Sequence, residues 1–195
     1  ENSFDLIFLQ AGIAEGGSLL EMNIKRIEEN YQINLFENLK VLQKYLRRCL
    51  LTKQKGKIFL TSSLAAFLPL PYLGSYTSSK MSLYSIGRTL QKELKLQQLK
   101  VRLCLFVPGA YQTGFNEYMI LNKEKDLYFK EEEGKKITQK QEQMFSLIEE
   151  KDYLLLAQRV VRAMEKEKIP NDLSYPFWQK IGIKIYRLIS ALIEL

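Results

Sequence analysis

The sequence contains no histidine among its 195 residues, and this absence excludes several kinds of active site. Ser-His-Asp and Cys-His nucleophiles need an imidazole base, and a large class of metal sites uses histidine ligands. Acid–base chemistry therefore falls to Tyr, Lys, Asp or Glu side chains. Tyr and Lys do such work near neutral pH only when their pKa values are shifted. We expect no metal site.

Cysteines and long apolar runs are also scarce. Cys49 and Cys104, the two cysteines, lie in apolar stretches typical of buried free thiols, which favours the reducing cytoplasm. No run of about 18 uncharged apolar residues occurs, so the sequence predicts no transmembrane helix. The first ten residues hold neither Met nor a signal-peptide pattern. We expect the chain to begin inside a domain.

Acidic residues are outnumbered by basic ones, 22 to 29, which gives a net charge of +7. This charge is compatible with an anionic partner such as nucleic acid, phospholipid or a phosphorylated cofactor. The lysines are interleaved with glutamates rather than clustered, however, and this pattern favours a solvated basic surface. We expect no nucleic-acid partner.

Three short apolar runs, at residues 4–9, 57–61 and 101–107, predict buried strands. Each run ends in small or turn-forming residues, as expected for parallel strands that are covered on both faces. Between them, residues 24–51 and 76–96 carry apolar side chains three or four apart, a spacing typical of helices. This order predicts an α/β fold with right-handed crossovers, and a ligand site outside the carboxyl ends of the strands.

The second half of the chain is less regular. Residues 114–150 are polar and too long for an ordinary connection, which predicts a functional flap or a partly disordered segment. Residues 153–167 predict a helix. Residues 177–195 predict an amphipathic helix with Trp178 and several basic residues. Packing on its own body or a dimer partner, and contact with a membrane surface, both remain open for this helix.

A tyrosine and a lysine give the chemical signal. Tyr76 and Lys80 are four residues apart, so a helix places them on one face. An ammonium group beside a phenol favours the phenolate and lowers its pKa from about 10 towards neutrality. Such a phenol can exchange a proton with an alcohol/ketone pair. Ser63, at the end of the preceding strand, could hydrogen-bond the same oxygen. The Tyr-x-x-x-Lys pair is a weak signal by itself in a chain with 11 tyrosines.

The surrounding residues are more specific, because they resemble the short-chain dehydrogenase/reductase family at several points from about residue 4 to 115. The strand that leads to Ser63 and the Tyr76–Lys80 motif match the family in order and spacing. The family's serine lies thirteen residues before its tyrosine, which selects Ser63 over Ser62. Asn34 stands where a helix motif of the family has the asparagine of its catalytic tetrad; Asn38 is the weaker candidate.

Two further stretches resemble cofactor-binding motifs of the family. Pro108-Gly109, followed by Thr113, matches a Pro-Gly-x-x-x-Thr stretch that contacts the nicotinamide end of the cofactor. Residues 9–13 resemble an Asn-Asn-Ala-Gly turn in which Gln10 replaces the second asparagine. We expect this departure to affect cofactor fit more than the fold.

The resemblance implies a Rossmann-like, doubly wound parallel sheet and an NAD- or NADP-dependent oxidoreductase that interconverts a carbonyl and an alcohol on a small-molecule substrate. It implies that Tyr76 is the general acid/base, that Lys80 lowers the pKa of Tyr76 and holds the nicotinamide ribose, and that Ser63 orients the substrate oxygen. Asn34 would hold a water that links Lys80 to solvent; an exposed polar position is its simpler interpretation. The implied cofactor-binding residues are Gln10, Ala11, Gly12, Tyr76, Lys80, Pro108, Gly109 and Thr113.

The family's glycine-rich phosphate loop and first strands precede the turn at residues 9–13, and no counterpart occurs in this sequence. We therefore expect residues 1–195 to be one partial domain. Its parent would have roughly 75–90 more N-terminal residues. We expect the isolated fragment to be inactive and prone to aggregation, and the full-length parent to be a homo-oligomer. Residues 114–150 would form the substrate lid.

Two other functions remain open at this point. One is a binding or regulatory protein that keeps the fold without turnover. The other is a membrane-associated enzyme that acts on lipid or cell-envelope substrates, an interpretation that depends on residues 177–195 alone.

Overall fold

The computed structural model describes residues 4–123 and 131–193, and its centre is a parallel sheet of four strands. The strands lie side by side in chain order, and each pairs in parallel with the next. They are β1 (Leu6–Leu9), β2 (Gly56–Thr61), β3 (Val101–Pro108) and β4 (Asp172–Tyr175). The predicted α/β fold with a parallel sheet is confirmed.

Seven α-helices accompany the sheet in the described part of the chain. They are α1 (Ile24–Tyr31), α2 (Asn38–Thr52), α3 (Gly74–Leu96), α4 (Phe115–Lys123), α5 (Glu131–Ile148), α6 (Tyr153–Glu165) and α7 (Phe177–Ile193). A π-helical turn, Gln32–Glu37, joins α1 to α2, and a 3₁₀ turn, Leu64–Phe67, follows β2. The helix predicted over residues 24–51 is therefore present but interrupted by a π turn.

The second half of the chain contains helices and a strand that the sequence did not predict. Residues 114–150 were expected to form a flap or a partly disordered segment, and their described parts are mainly the helices α4 and α5; residues 124–130 lie outside the described residues. The sequence does not predict the strand β4, because it has only four residues and two of them are polar. Pairing with β3, from Leu105–Asp172 to Pro108–Tyr175, holds it in the sheet. The lid role of residues 114–150 stays a prediction.

The two central strands of the sheet, β2 and β3, are buried on both faces, as the apolar runs indicated. Alternate residues of β2 point to opposite sides. Ile58 and Leu60 join the core beneath α2 and α3, while Phe59 packs in a second core with Ala163 of α6. Phe8 of β1 is 36% exposed, at the edge of the sheet. None of the helices that the structure describes is long and apolar enough to cross a membrane.

A glycine lets α3 approach the sheet closely. A Cβ atom on Gly87 would lie 2.6 Å from Cδ2 of Leu105, which is fully buried and has little room to move. We predict that Gly87→Ala lowers the free energy of unfolding by about 1–2 kcal/mol, because overpacking outweighs the gain in helix propensity. The measurement is urea denaturation of the intact protein.

The matched control is Gly182→Ala in α7, where a Cβ would meet nothing within 4 Å. This change should raise the free energy of unfolding by about 0.5–1 kcal/mol, through helix propensity alone. Equal effects of the two substitutions would contradict the close approach at Gly87.

Candidate active site

The carboxyl ends of β1, β2 and β3 lie at one edge of the sheet, and each ends in a segment with a predicted site residue. Gly12 follows β1, Ser63 follows β2, and Gly109 follows β3. The first two turns of α3 bring Tyr76 and Lys80 to the same edge, and both side chains are buried. The structure thus gathers residues from four segments of the chain, as the predicted ligand site requires.

Ser63 lies beside the hydroxyl of Tyr76 and influences its pKa. The hydroxyl of Ser63 favours the phenolate, but burial has the larger effect and raises the pKa of Tyr76 above 10.0. Ser63 Oγ also accepts the backbone N–H of Ala65 at 3.1 Å. Ser62, by contrast, donates its hydroxyl to the carbonyl of Lys80 at 2.8 Å. Ser63, not Ser62, is therefore the serine that meets the tyrosine.

The raised pKa of Tyr76 differs from the lowering that the sequence predicted from Lys80. Tyr76 is only 5% exposed, and removal of water destabilises the phenolate. The neighbour that acts in the predicted direction is Ser63 rather than Lys80. The spacing of the two residues showed that they share a helix face, whereas the depth of burial depends on the surrounding fold.

Lys80 lies where three segments meet. Its Nζ donates to the carbonyl of Thr61, at the end of β2, at 3.3 Å. A Cβ atom on Gly12, after β1, would lie 2.8 Å from the same Nζ, so glycine allows the backbone to come close to the ammonium group. Burial lowers the pKa of Lys80 from 10.5 to about 8. A buried ammonium group with donors to spare suits a ligand that carries hydroxyl oxygens.

Asn34 is fully buried in the π turn, so the interpretation as an exposed polar residue is wrong. Its Oδ1 accepts the backbone N–H of Ile13 at 2.8 Å. Its Nδ2 donates to the carbonyl of Ile13 and to Ser79 Oγ, both at 2.9 Å. The side-chain amide is thus occupied by protein atoms. Its link to a water remains a prediction.

The remaining predicted residues are less closely tied to this centre. The side chains of Gln10, Ala11 and Thr113 are exposed, while Pro108 and Gly109 are half-buried. The backbone N–H of Gly109 donates to the carbonyl of Tyr175 at 2.9 Å. Contact of these five residues with a cofactor stays a prediction.

Sequence reasoning missed Gln179 of α7, which holds the segment after β3. Its Oε1 accepts the N–H of Ala110 at 2.8 Å, and its Nε2 donates to the carbonyl of Ile148 at 2.7 Å. A Cβ on Gly109 would collide with the Gln179 side chain, so glycine is needed at this contact. No local pattern reveals this residue, because its partner Ala110 lies 69 positions away along the chain.

Known proteins that resemble the chain are named as dehydrogenases or reductases. The model of the short chain dehydrogenase family matches residues 2–124. A probable short-chain type dehydrogenase/reductase of Helicobacter pylori is 30% identical over 125 residues, which are 64% of this chain and 45% of that protein. An NADPH-dependent 3-dehydrocapnine reductase of Ornithobacterium rhinotracheale is 31% identical over 106 residues, 53% of this chain and 37% of that protein. The chain thus spans less than half the length of these two relatives.

The fold has a counterpart among solved structures. The crystal structure of a short-chain dehydrogenase from Streptomyces avermitilis superposes with a TM-score of 0.75 over 98% of this chain and 67% of that one. The sequence identity is 18%, so the match concerns the fold alone.

We predict a pH-dependent cost of burying Lys80. Its pKa falls from 10.5 to about 8 on folding. Below pH 8 the folded protein therefore buries a charged ammonium group, and this burial lowers the free energy of unfolding by its full amount. Between about pH 8 and 10.5 the folded state releases this proton while the unfolded chain keeps it, and the cost disappears. Lys80→Met should therefore be more stable than the wild type by about 2–3 kcal/mol at pH 7, with little difference at pH 10.5.

Urea denaturation at several pH values measures this difference. Lys92→Met is the control, because Lys92 lies on the same helix with an exposed side chain. A stability gap for Lys80→Met that is the same at pH 7 and pH 10.5 would contradict the prediction.

Proposed function

The chain belongs to the short-chain dehydrogenase family, and on that premise we propose that the intact protein is an NAD- or NADP-dependent oxidoreductase. It would interconvert a carbonyl and an alcohol on a small-molecule substrate. The observation that carries the proposal is the buried Tyr76 beside Ser63 at the carboxyl ends of the strands, with buried Lys80 one helical turn away. The NADPH dependence named for one relative supports a nicotinamide cofactor.

Tyr76 and Ser63 have different roles in the proposed reaction. In reduction, Tyr76 donates its hydroxyl proton to the carbonyl oxygen, and in oxidation its phenolate removes the proton of the alcohol. Ser63 hydrogen-bonds and orients the same oxygen. Since burial raises the pKa of Tyr76, the phenol is protonated at neutral pH and ready to donate. Ser63 favours the phenolate left after donation, since it is the neighbour that lowers the pKa of Tyr76. The cofactor, when bound, supplies the hydride.

The site suits a nicotinamide nucleotide. Lys80 has three donors, and the carbonyl of Thr61 takes one of them, so ribose hydroxyls could accept the others. The glycine at position 12 keeps the backbone close to this ammonium group. Pro108, Gly109 and Thr113 would bind the nicotinamide end. A catalytically silent member of the family would not need Ser63 beside a buried Tyr76 and Lys80, and this arrangement favours the enzyme.

Two features support proposals about assembly and compartment. The groove between α2 and α3 is lined by apolar side chains, among them Leu39, Leu46 and Ile86, together with as many polar or charged ones. We propose it as the surface through which the intact protein forms a homo-oligomer. Both Cys49 and Cys104 are free thiols, and this supports a cytoplasmic location.

A second candidate function follows from α7. Phe177, Trp178, Ile181 and Ile185 are all more than 40% exposed, and Lys184 is exposed on the same helix. Exposed Phe, Trp and Ile beside basic residues are typical of helices that lie on anionic membrane surfaces. We propose that this helix binds such a surface, and that the enzyme acts on lipid or cell-envelope substrates.

For the enzymatic function we predict that Tyr76→Phe lowers kcat at least about 100-fold, because the proton donor is lost while the ring remains. Cofactor affinity should be retained. The measurement is NAD(P)H oxidation by the intact protein against a panel of carbonyl compounds, with cofactor binding followed by fluorescence.

Tyr84→Phe is the matched control, since Tyr84 lies two turns further along the same helix and packs its ring against Phe67. Turnover of this variant should stay at the wild-type level. Unchanged turnover of Tyr76→Phe would remove Tyr76 from its role.

For the membrane proposal we predict that Phe177→Ser combined with Ile181→Ser lowers binding to anionic vesicles about tenfold, since apolar area is lost from the exposed face. The measurement is co-sedimentation with phosphatidylcholine vesicles that contain phosphatidylserine. Leu51→Ser combined with Leu96→Ser is the control, because both leucines are exposed elsewhere. A fall in molar mass by light scattering without a change in vesicle binding would instead show that α7 meets a second copy.

A further inference from the structure

Three buried asparagines lie at successive turns of the helical segment that runs from α1 through the π turn into α2. Asn30, Asn34 and Asn38 are each four residues apart and at most 4% exposed. Positions four apart share a helix face. A buried amide needs hydrogen-bond partners to offset the loss of water, and all three side chains find partners in the segment that follows β1.

The contacts form a ladder with one rung for each asparagine. Asn38 Nδ2 donates to the carbonyl of Ala11 at 3.1 Å. Asn34 accepts from the N–H of Ile13 at 2.8 Å and donates to the carbonyl of Ile13 at 2.9 Å. Asn30 repeats this two-way contact with Glu15, at 3.4 and 3.3 Å. Residues 11, 13 and 15 thus contact Asn38, Asn34 and Asn30 in that order, so the segment runs antiparallel to the helix.

The register of the ladder has a simple geometric reason. Four residues of an α-helix rise about 6 Å, and two residues of an extended chain span about 6.6 Å. A segment that runs antiparallel to the helix therefore stays in step over three rungs. The ion pair between Arg26 and Glu15, at 2.9 Å, reinforces the far end of the ladder.

The π turn contributes to the same arrangement. The backbone N–H of Asn38 donates to the carbonyl of Leu35, and the side chain of Asn38 donates to the carbonyl of Asn34 at 3.1 Å. The side-chain amide of Asn38 thus donates hydrogen bonds both to a carbonyl of the π turn and to the carbonyl of Ala11. The first two rungs enclose Gly12, where a Cβ would lie 2.8 Å from Lys80 Nζ and 2.9 Å from Asn34 Oδ1.

We propose that Asn30 and Asn38 are positioning residues which, together with Asn34, hold the backbone of residues 11–15 against Lys80 and so set the affinity for the nicotinamide cofactor. The effect on affinity rests on the proposed function, whereas the effect on the backbone does not. Neither asparagine contacts the reacting atoms. Their influence passes through the position of Gly12 beside the ammonium group.

The test replaces Asn30 with Leu, which has the same number and branching of side-chain heavy atoms and no hydrogen-bonding group. If the ladder acts as a unit, loss of one end frees the neighbouring rung. Amide hydrogen exchange of Ile13, measured without cofactor, should accelerate about tenfold or more, although the side chain of Asn34 is unchanged. The Kd for NADH or NADPH, whichever the intact protein binds, should rise about tenfold, the loss expected for one hydrogen bond.

Asn23→Leu is the matched control, with the same substitution on the same helix. Asn23 caps α1 by accepting the N–H of Lys25 at 3.0 Å and makes no side-chain contact with residues 11–15 among the hydrogen bonds of the described chain. This variant should lose thermal stability while Ile13 exchange and cofactor Kd stay within about twofold of the wild type. A similar rise in both quantities for the control would show a general loss of stability and overturn the proposal.

Asn38→Leu tests the other end, and it replaces Asn30→Leu if that variant does not fold. It should accelerate exchange of Ile13 and raise the cofactor Kd in the same way. Wild-type exchange and Kd in the folded variants would overturn the ladder. If Tyr76→Phe keeps full turnover, the proposed reaction fails, but accelerated exchange in the asparagine variants would still establish the ladder.

Discussion

The burial of the Lys80 ammonium group is the constraint around which the candidate site is arranged. Its Nζ lies against the carbonyl of Thr61 and beside Gly12, and its own carbonyl accepts the hydroxyl of Ser62. A charge in this position needs compensation from backbone dipoles, because desolvation lowers its pKa and no carboxylate among residues 4–123 and 131–193 pairs with it. The ends of β1 and β2 and the start of α3 are thus fixed relative to one another at the carboxyl edge of the sheet.

The helix that faces this edge departs from regular geometry at the same place. The π turn at Gln32–Glu37 contains Asn34, whose amide reaches both Ile13 and Ser79. A π turn widens the helix by one residue and is frequent at functional sites, because it redirects side chains that a regular helix would place elsewhere. Here it coincides with the asparagine contacts that hold residues 11–15. A length of chain without regular secondary structure is thereby hydrogen-bonded to the helix at three positions, Ala11, Ile13 and Glu15.

The segment after β3, on the opposite side of the site, is supported by β4 and α7. Pairing of β4 with β3 brings α7 next to Gly109 and Ala110, where Gln179 takes both backbone groups of Ala110 and the carbonyl of Ile148. The same helix buries Gln179 and exposes Phe177 and Trp178. One face of α7 therefore supports the segment after β3, and the other is available to a surface outside the described chain. Any movement of α7 would be transmitted to Gly109.

The sequence by itself determined the features that depend on neighbours along the chain. Apolar periodicity predicted β2, β3 and α3 to within two residues, and the four-residue spacing of Tyr76 and Lys80 placed both on one buried helix face. Tertiary structure decided what depends on distant residues: the short strand β4, the contact of Gln179 with Ala110, and the burial that raises rather than lowers the pKa of Tyr76. Periodicity reports which side of an element is apolar. Desolvation and long-range hydrogen bonds arise only when the elements pack together.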